Sequence, residues 1–306
     1  MGKVSLFMIV FATLMIAPFC SAMDRNVKEE NAILLVAFGT SYPEAQASFD
    51  SIEAIYEEEF PNAEIRMAFT SDFIRQKIAD RDGIFIDNPV TAIAKLNDEG
   101  YVKVVVQSLH VIPGEEFHDL ANIVDSFNSI DGKFAFQNLV MGMPLLTRME
   151  DYQATSIALA SQFDKTTDEK GNAQGRPRDP KDTAVALMGH GTKHSANSAY
   201  SQMALILKED YENVFLGTVE GYPAYEDVLE GVSSSGTTSV RMMPFMIVAG
   251  DHANNDLYGD EDDSWKVMLE GEGFDTEPYL KGMGENNEIV KIFVEHTKAA
   301  LEELET

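Results

Sequence analysis

The chain carries one cysteine in 306 residues, Cys20, and that residue lies in a segment marked for removal. Met1-Gly2-Lys3 is a short basic start, and Val4 to Ala17 is an apolar run too brief to span a bilayer comfortably. Pro18 ends the run, and Cys20-Ser21-Ala22 sets small residues where a signal peptidase cuts. No stop-transfer segment follows, so export to the periplasm is expected in preference to a retained anchor, with no stable membrane insertion after cleavage. Removal of 22 residues leaves 284 without a thiol, which excludes both disulfide staples and a cysteine nucleophile. Cations are also scarce: 23 Lys and Arg face 51 Asp and Glu, for a formal net charge of −28. Nucleic acid is therefore not an expected partner, because there is no basic excess to displace counterions. There is no Gly-x-Ser-x-Gly elbow and no phosphate-binding P-loop.

What is present is a sizeable apolar fraction, 44%, arranged as strand-like runs alternating with helical stretches. That is the pattern of an α/β protein whose parallel sheets are flanked by helices. Strands are expected at Ala32–Phe38, Ala63–Phe69, Val102–Leu109 and Phe136–Met141, then at Thr183–Met188, Asn213–Val219, Ser239–Ile247 and Asp275–Leu280. Helices between them include Tyr42–Phe60, Pro89–Asp98, Asp151–Phe163, Ser195–Asp210 and Glu285–Leu304. The polar stretch 164–182, with Gly171, Gly175, Pro177 and Pro180, reads as a linker or exposed loop. The expected organisation is a signal peptide over 1–22, an N-terminal α/β half over 23–163, the linker, and a C-terminal α/β half over 183–306.

The halves align weakly with each other. Ala37-Phe38-Gly39-Thr40 matches Gly189-His190-Gly191-Thr192 after a first strand, and Val111–Glu116 matches Ile247–His252 after a third. Two similar halves across a cleft place ligands beyond the carboxyl ends of the strands. At those mouths the second half carries His190, Glu220 and His252, whereas the first carries Phe38, a position near Thr70, and Glu116. Two neutral imidazoles and a carboxylate suit Co²⁺, Fe²⁺ and Zn²⁺ alike. His110 reads as a core or supporting histidine, His194 as a residue one turn into a helix, and His296 in the terminal helix as exposed.

The stretches LVAFGTSY (Leu35–Tyr42), AFTS (Ala68–Ser71), RDGIFID (Arg81–Asp87), QSLH (Gln107–His110), MGHGT (Met188–Thr192), EGYP (Glu220–Pro223), VAGDHAN (Val248–Asn254), DSWK (Asp263–Lys266) and GMGEN (Gly282–Asn286) occur in this order. In them the chain resembles the anaerobic, CbiK-type cobalt chelatases, class II tetrapyrrole chelatases that act on sirohydrochlorin. The resemblance implies a chelatase fold and a lyase activity that inserts Co²⁺, with Fe²⁺ second, into sirohydrochlorin. It implies His190 and His252 as metal contacts, completed by an acidic residue for which Glu116 and Glu220 compete. Our expectation is that His190 and Glu116 are catalytic, His190 being the main proton acceptor, and that His190, Glu220 and His252 hold the metal. Helix N-termini after Gly39-Thr40-Ser41 and Gly191-Thr192, with Lys193 and Arg75, are candidates for receiving substrate carboxylates.

Two features depart from the family pattern. Its members are mostly cytoplasmic, whereas this chain has an export signal, and His118 is surplus to the motif. A spare histidine in a tetrapyrrole-handling protein is a candidate axial ligand for haem b, across a contact in a homo-oligomer. The rival function is a periplasmic metal- or haem-binding carrier of chelatase ancestry.

Overall fold

The computed structural model describes residues 26–163 and 183–304, so the expected signal peptide and the 164–182 linker lie outside the described residues. Among the described residues no helix is long and apolar enough to cross a membrane. Two four-stranded parallel sheets are formed. The first runs β2-β1-β3-β4, from β1 (Ala32–Ala37), β2 (Glu64–Phe69), β3 (Lys103–Ser108) and β4 (Asn138–Gly142). The second runs β6-β5-β7-β8, from β5 (Thr183–Gly189), β6 (Val214–Thr218), β7 (Ser239–Pro244) and β8 (Asp275–Pro278). The identical order in both sheets is the structural form of the internal repeat.

β1 reads AILLVA and is buried at every position, as a central strand covered on both faces must be. Its alternation splits the core into layers. Ala32, Leu34 and Val36 meet α3 (Pro89–Asp98) and α4 (Glu115–Asn128) through Ile93, Leu96, Leu120 and Val124. Ile33, Leu35 and Ala37 face a larger core with Phe49, Ile52 and Tyr56 of α1 (Gln46–Glu59). In the second half Ala184, Ala186 and Met188 of β5 pack on α7 (Tyr225–Ser235) and α8 (Trp265–Gly271) through Val228, Val232, Trp265 and Leu269. The opposite face of β5, Val185 and Leu187, belongs to the same core as Ile33 and Leu35, so one continuous apolar layer joins the halves. Each fully buried side chain of this size contributes about 1.5–3 kcal/mol.

The final helix, α9 (Asn287–Leu304), packs against β3 and β4 of the first sheet. Its Thr297 hydroxyl donates to Gln107 Oε1 at 2.8 Å, so the Tyr56 hydroxyl, 2.9 Å away, donates to Thr297. α5 (Met149–Phe163) lies along α6 (Ser198–Asp210) and α9, and Arg241 of β7 donates to the Gln162 carbonyl at 2.9 Å. His296 is buried, at 5% exposure, where the terminal helix had been expected to show it to solvent. Crossing to the other half turns its face inward, and Nδ1 and Nε2 each lie 3.0 Å from an acceptor, the Met143 carbonyl and Asp151 Oδ1.

The eight strands start and stop within a few residues of expectation. β7 ends at Pro244, short of Ile247, because proline has no N–H to continue the ladder. The helix expected from Tyr42 begins at Gln46, since Tyr42–Ala45 is spent on a turn closed by Ala45 N–H to the Tyr42 carbonyl.

Candidate metal-handling site

His190 follows the last residue of β5 and is turned outward by the glycine after it. Gly191 has φ +79°, and a Cβ there would sit 2.7 Å from the Gly221 nitrogen, so the position needs glycine on both counts. That close approach lets Glu220 N–H donate to the His190 carbonyl at 2.9 Å. The Glu220–Pro223 loop is then pinned from below, where Thr218 donates N–H and Oγ1–H to the Pro223 carbonyl at 2.7 and 2.8 Å.

The two imidazoles expected to work together do meet. The rings of His190 and His252 are 4.6 Å apart between centroids and nearly perpendicular, at 89°. Each has its Nδ1 occupied by a group that only accepts: the Gly191 carbonyl at 2.8 Å for His190, and Asp256 Oδ2 at 2.7 Å for His252. Nδ1 therefore carries the hydrogen in both neutral rings, and both Nε2 lone pairs are open to a metal or a proton. A carboxylate behind the ring is the usual partner of a metal-binding histidine, because it fixes the tautomer and raises ligand basicity. Asp256 was missed in the sequence, though its place four residues after His252 is the spacing that brings side chains together on a helical turn. The turn in question, Ala253–Leu257, is π-helical, a local widening frequent at functional sites.

Glu220 is exposed beside His190 rather than gathered onto the two imidazoles. Among the described residues no three His, Cys, Asp or Glu side chains cluster in metal-holding geometry. The arrangement is a two-nitrogen platform with a carboxylate on an adjoining loop.

The facing wall comes from the first half. Glu116 lies in the first turn of α4, with Oε2 3.8 Å from Nε2 of His110 at the end of β3. Burial pushes the His110 imidazole down to about 4, so it is neutral at ordinary pH. His118, exposed on the same helix, places Nδ1 2.8 Å from the Gly114 carbonyl, and its ring centroid is 5.2 Å from that of His194. His194 is not inside a helix: it caps the short turn Ser195–Asn197, its Nδ1 accepting the Ala196 N–H at 3.2 Å.

Two of the contacts between the halves join the strand mouths, and they are related by the repeat. Tyr42, after β1, donates to Asp251 Oδ1 at 2.8 Å, after β7. His194, after β5, meets His118, after β3. In the alignment of the halves Tyr42 stands where His194 does, so each first-strand mouth reaches the opposite third-strand mouth. Nothing in the local pattern around Tyr42 signals this, because the partner is 209 residues away. The candidate cations differ in freedom: Arg75 Nη2 pairs with Asp72 and Nη1 donates to the Ile86 carbonyl at 3.3 Å, whereas Lys193 is exposed.

This geometry can be set against known proteins. The chain is 35% identical over 273 residues to the sirohydrochlorin cobaltochelatase of Salmonella typhimurium, covering 89% of this chain and 97% of the relative. It is 33% identical over 276 residues to sirohydrochlorin cobaltochelatase CbiKC of Nitratidesulfovibrio vulgaris, covering 90% and 92%. Among solved structures, SirB from Bacillus subtilis with Fe³⁺ superposes with a TM-score of 0.55 at 12% identity, covering 89% of this chain and 95% of the other. At that identity the likeness concerns the fold, a two-halved chelatase architecture. The family description "Cobalt chelatase (CbiK)" matches residues 31–302, a span that contains both sheets, the imidazole pair and the facing carboxylate. The chain belongs to the CbiK cobalt chelatase family.

Proposed function

We propose that the protein inserts Co²⁺, and Fe²⁺ as a second metal, into sirohydrochlorin, with His190, Glu220 and His252 receiving the ion and His190 and Glu116 removing protons. The observation that carries this reading is the perpendicular pair with two open Nε2 lone pairs, in a chain of the cobalt chelatase family. The reaction exchanges two pyrrole N–H protons for one M²⁺. Two imidazole nitrogens strip part of the ion's water, and Glu220 swings in from its exposed loop as the third donor. Three donors hold an ion loosely enough to release it, where a closed tetrahedral cage would keep it. As the ion passes to the ring nitrogens, His190 Nε2 is vacated and takes one pyrrole proton. Glu116, on the facing wall, accepts the other. The substrate's carboxylates are met by backbone N–H groups and Lys193, which suits a protein with a net charge of −28.

The experiment follows the absorption change of sirohydrochlorin with Co²⁺ or Fe²⁺ at substoichiometric protein. His190→Ala is expected to abolish turnover, and a wild-type rate in that variant contradicts the mechanism. A carrier, the rival reading, saturates at one equivalent.

Export is part of the same proposal, resting on the pattern in the first 22 residues. Its check is the N-terminus of the mature protein in the periplasmic fraction, expected at Met23. For haem, the exposed His118 imidazole has its Nδ1 committed to Gly114, leaving Nε2 as one axial donor, and a second copy of the chain would supply the other. A Soret band in protein from haem-replete cells, lost in His118→Ala, is the expected sign; no band at all contradicts it.

A further inference from the structure

His110 is a buried imidazole with unused hydrogen-bonding capacity. Its Nδ1 is 2.8 Å from Ser108 Oγ, and the same oxygen accepts the His110 backbone N–H at 3.4 Å. With a lone pair facing that N–H, the Ser108 hydroxyl is placed to donate its own hydrogen to Nδ1. The neutral ring then carries its hydrogen on Nε2. This Nε2 has no hydrogen-bond partner and no access to water, although the side chain as a whole is 12% exposed. A covered donor without an acceptor is destabilising, so its retention calls for an explanation. The nearest carboxylate oxygen is Glu116 Oε2, 3.8 Å away, on a side chain 46% exposed and free to move.

We infer that His110 is a positioning residue for Glu116, its Nε2–H capturing the Glu116 carboxylate when tetrapyrrole fills the cleft and aiming the other oxygen at the ring. Closing 3.8 Å to an ordinary charge-assisted bond takes a shift of about 1 Å, within reach of a χ adjustment in Glu116. Burial supports the role, because a ring that stays neutral keeps Nε2–H as a fixed donor and does not compete for the pyrrole proton. Leu145 N–H donates to the His110 carbonyl at 3.0 Å, which holds the backbone of the residue in place while Glu116 moves. Ser108 sets the tautomer, His110 presents the donor, and Glu116 does the chemistry. The inference rests on the reading of Glu116 as a proton acceptor.

The test compares steady-state kinetics of Co²⁺ insertion for His110→Phe, His110→Met, His110→Gln and Glu116→Gln. Phe and Met fill the site without a donor, and each is expected to lower kcat by about tenfold or more, the scale of one charge-assisted hydrogen bond, with KM within about twofold. Gln restores an N–H near the Nε2 position and is expected to recover most of that loss, which a packing role alone would not produce. In a Glu116→Gln background His110→Phe is expected to cost nothing further. Wild-type kcat in both Phe and Met variants overturns the inference, as does an undiminished loss in the Glu116→Gln background. Wild-type kcat in Glu116→Gln itself overturns the reading of Glu116, a distinguishable result.

Discussion

Asp256 offers the sharpest perturbation of the imidazole pair, because it touches His252 without belonging to the candidate donor set. Its Oδ2 lies 2.7 Å from His252 Nδ1, on a side chain 43% exposed, and the partner of His190 is a backbone carbonyl that mutation cannot remove. In Asp256→Ala the hydrogen on His252 is no longer held at Nδ1, and in the Nε2–H tautomer the lone pair needed for Co²⁺ is occupied. Loss of such an outer partner typically weakens metal binding by about 10–100-fold. Solvent exposure screens Asp256, which places the expected effect near the lower bound, about tenfold, or about 1.4 kcal/mol. Asp256→Asn keeps an acceptor and loses the charge, so a drop of about threefold is expected from half that energy. The assay is competition for Co²⁺ with a chromophoric chelator at fixed pH and salt, run on both variants and on His252→Ala. Asp256→Ala added to His252→Ala should have no further effect. Affinity within about twofold of wild type for Asp256→Ala would refute the claim that the carboxylate sets the tautomer.

Three further outcomes are expected. Gly191→Ala forces a side chain into φ +79° against the Gly221 backbone, at a cost of about 1–3 kcal/mol, and should lower both Tm and Co²⁺ affinity; an unchanged Tm would sink the steric argument. Asp151→Asn replaces a buried carboxylate that accepts from His296, Thr147 and Arg148 and should cost about 1.5–3 kcal/mol, the scale of hydrogen bonding to a charged group, in urea unfolding at neutral pH. Burial alone would raise the Asp151 pKa, but hydrogen bonds from His296 and the Arg148 and Thr147 N–H groups outweigh it and hold it below the usual carboxylate value. A depressed folded pKa stabilises above the unfolded value of about 3.9 and is lost as pH falls through the folded value, so the gap between wild type and Asp151→Asn should close in strong acid. A gap that persists there contradicts the assignment. Tyr42→Phe removes one of the two contacts between the strand mouths and should raise KM for the tetrapyrrole more than it lowers kcat; equal KM values would show that this contact does not shape the cleft.

The sheets were legible in the sequence because buried parallel strands read as unbroken apolar runs, AILLVA in β1 and TAVALMG in β5. The pairing of His190 with His252 was legible through the repeat, since Gly39-Thr40 and Gly191-Thr192 mark the same turn, and both glycines have positive φ. The exchange of α9 onto the opposite sheet was not legible, and with it went the burial of His296: helical periodicity tells which face is apolar but not which sheet receives it. The tautomers of His190 and His110 depend on a backbone carbonyl and a serine whose positions only the folded turn defines. The carboxylate partner of the imidazoles also stayed open, because Glu116 and Glu220 sit on opposite walls and each has a sound local reason to be there.

The central claim is that the His190–His252 pair delivers a metal ion to a tetrapyrrole catalytically. Single-protein turnover of sirohydrochlorin with Co²⁺, at a large excess of both over protein, tests it most directly. Many equivalents of metallated product per chain from wild type, with at most background from His190→Ala and His252→Ala, is the expected result. Product that stops at one equivalent, or full turnover in both variants, would contradict it.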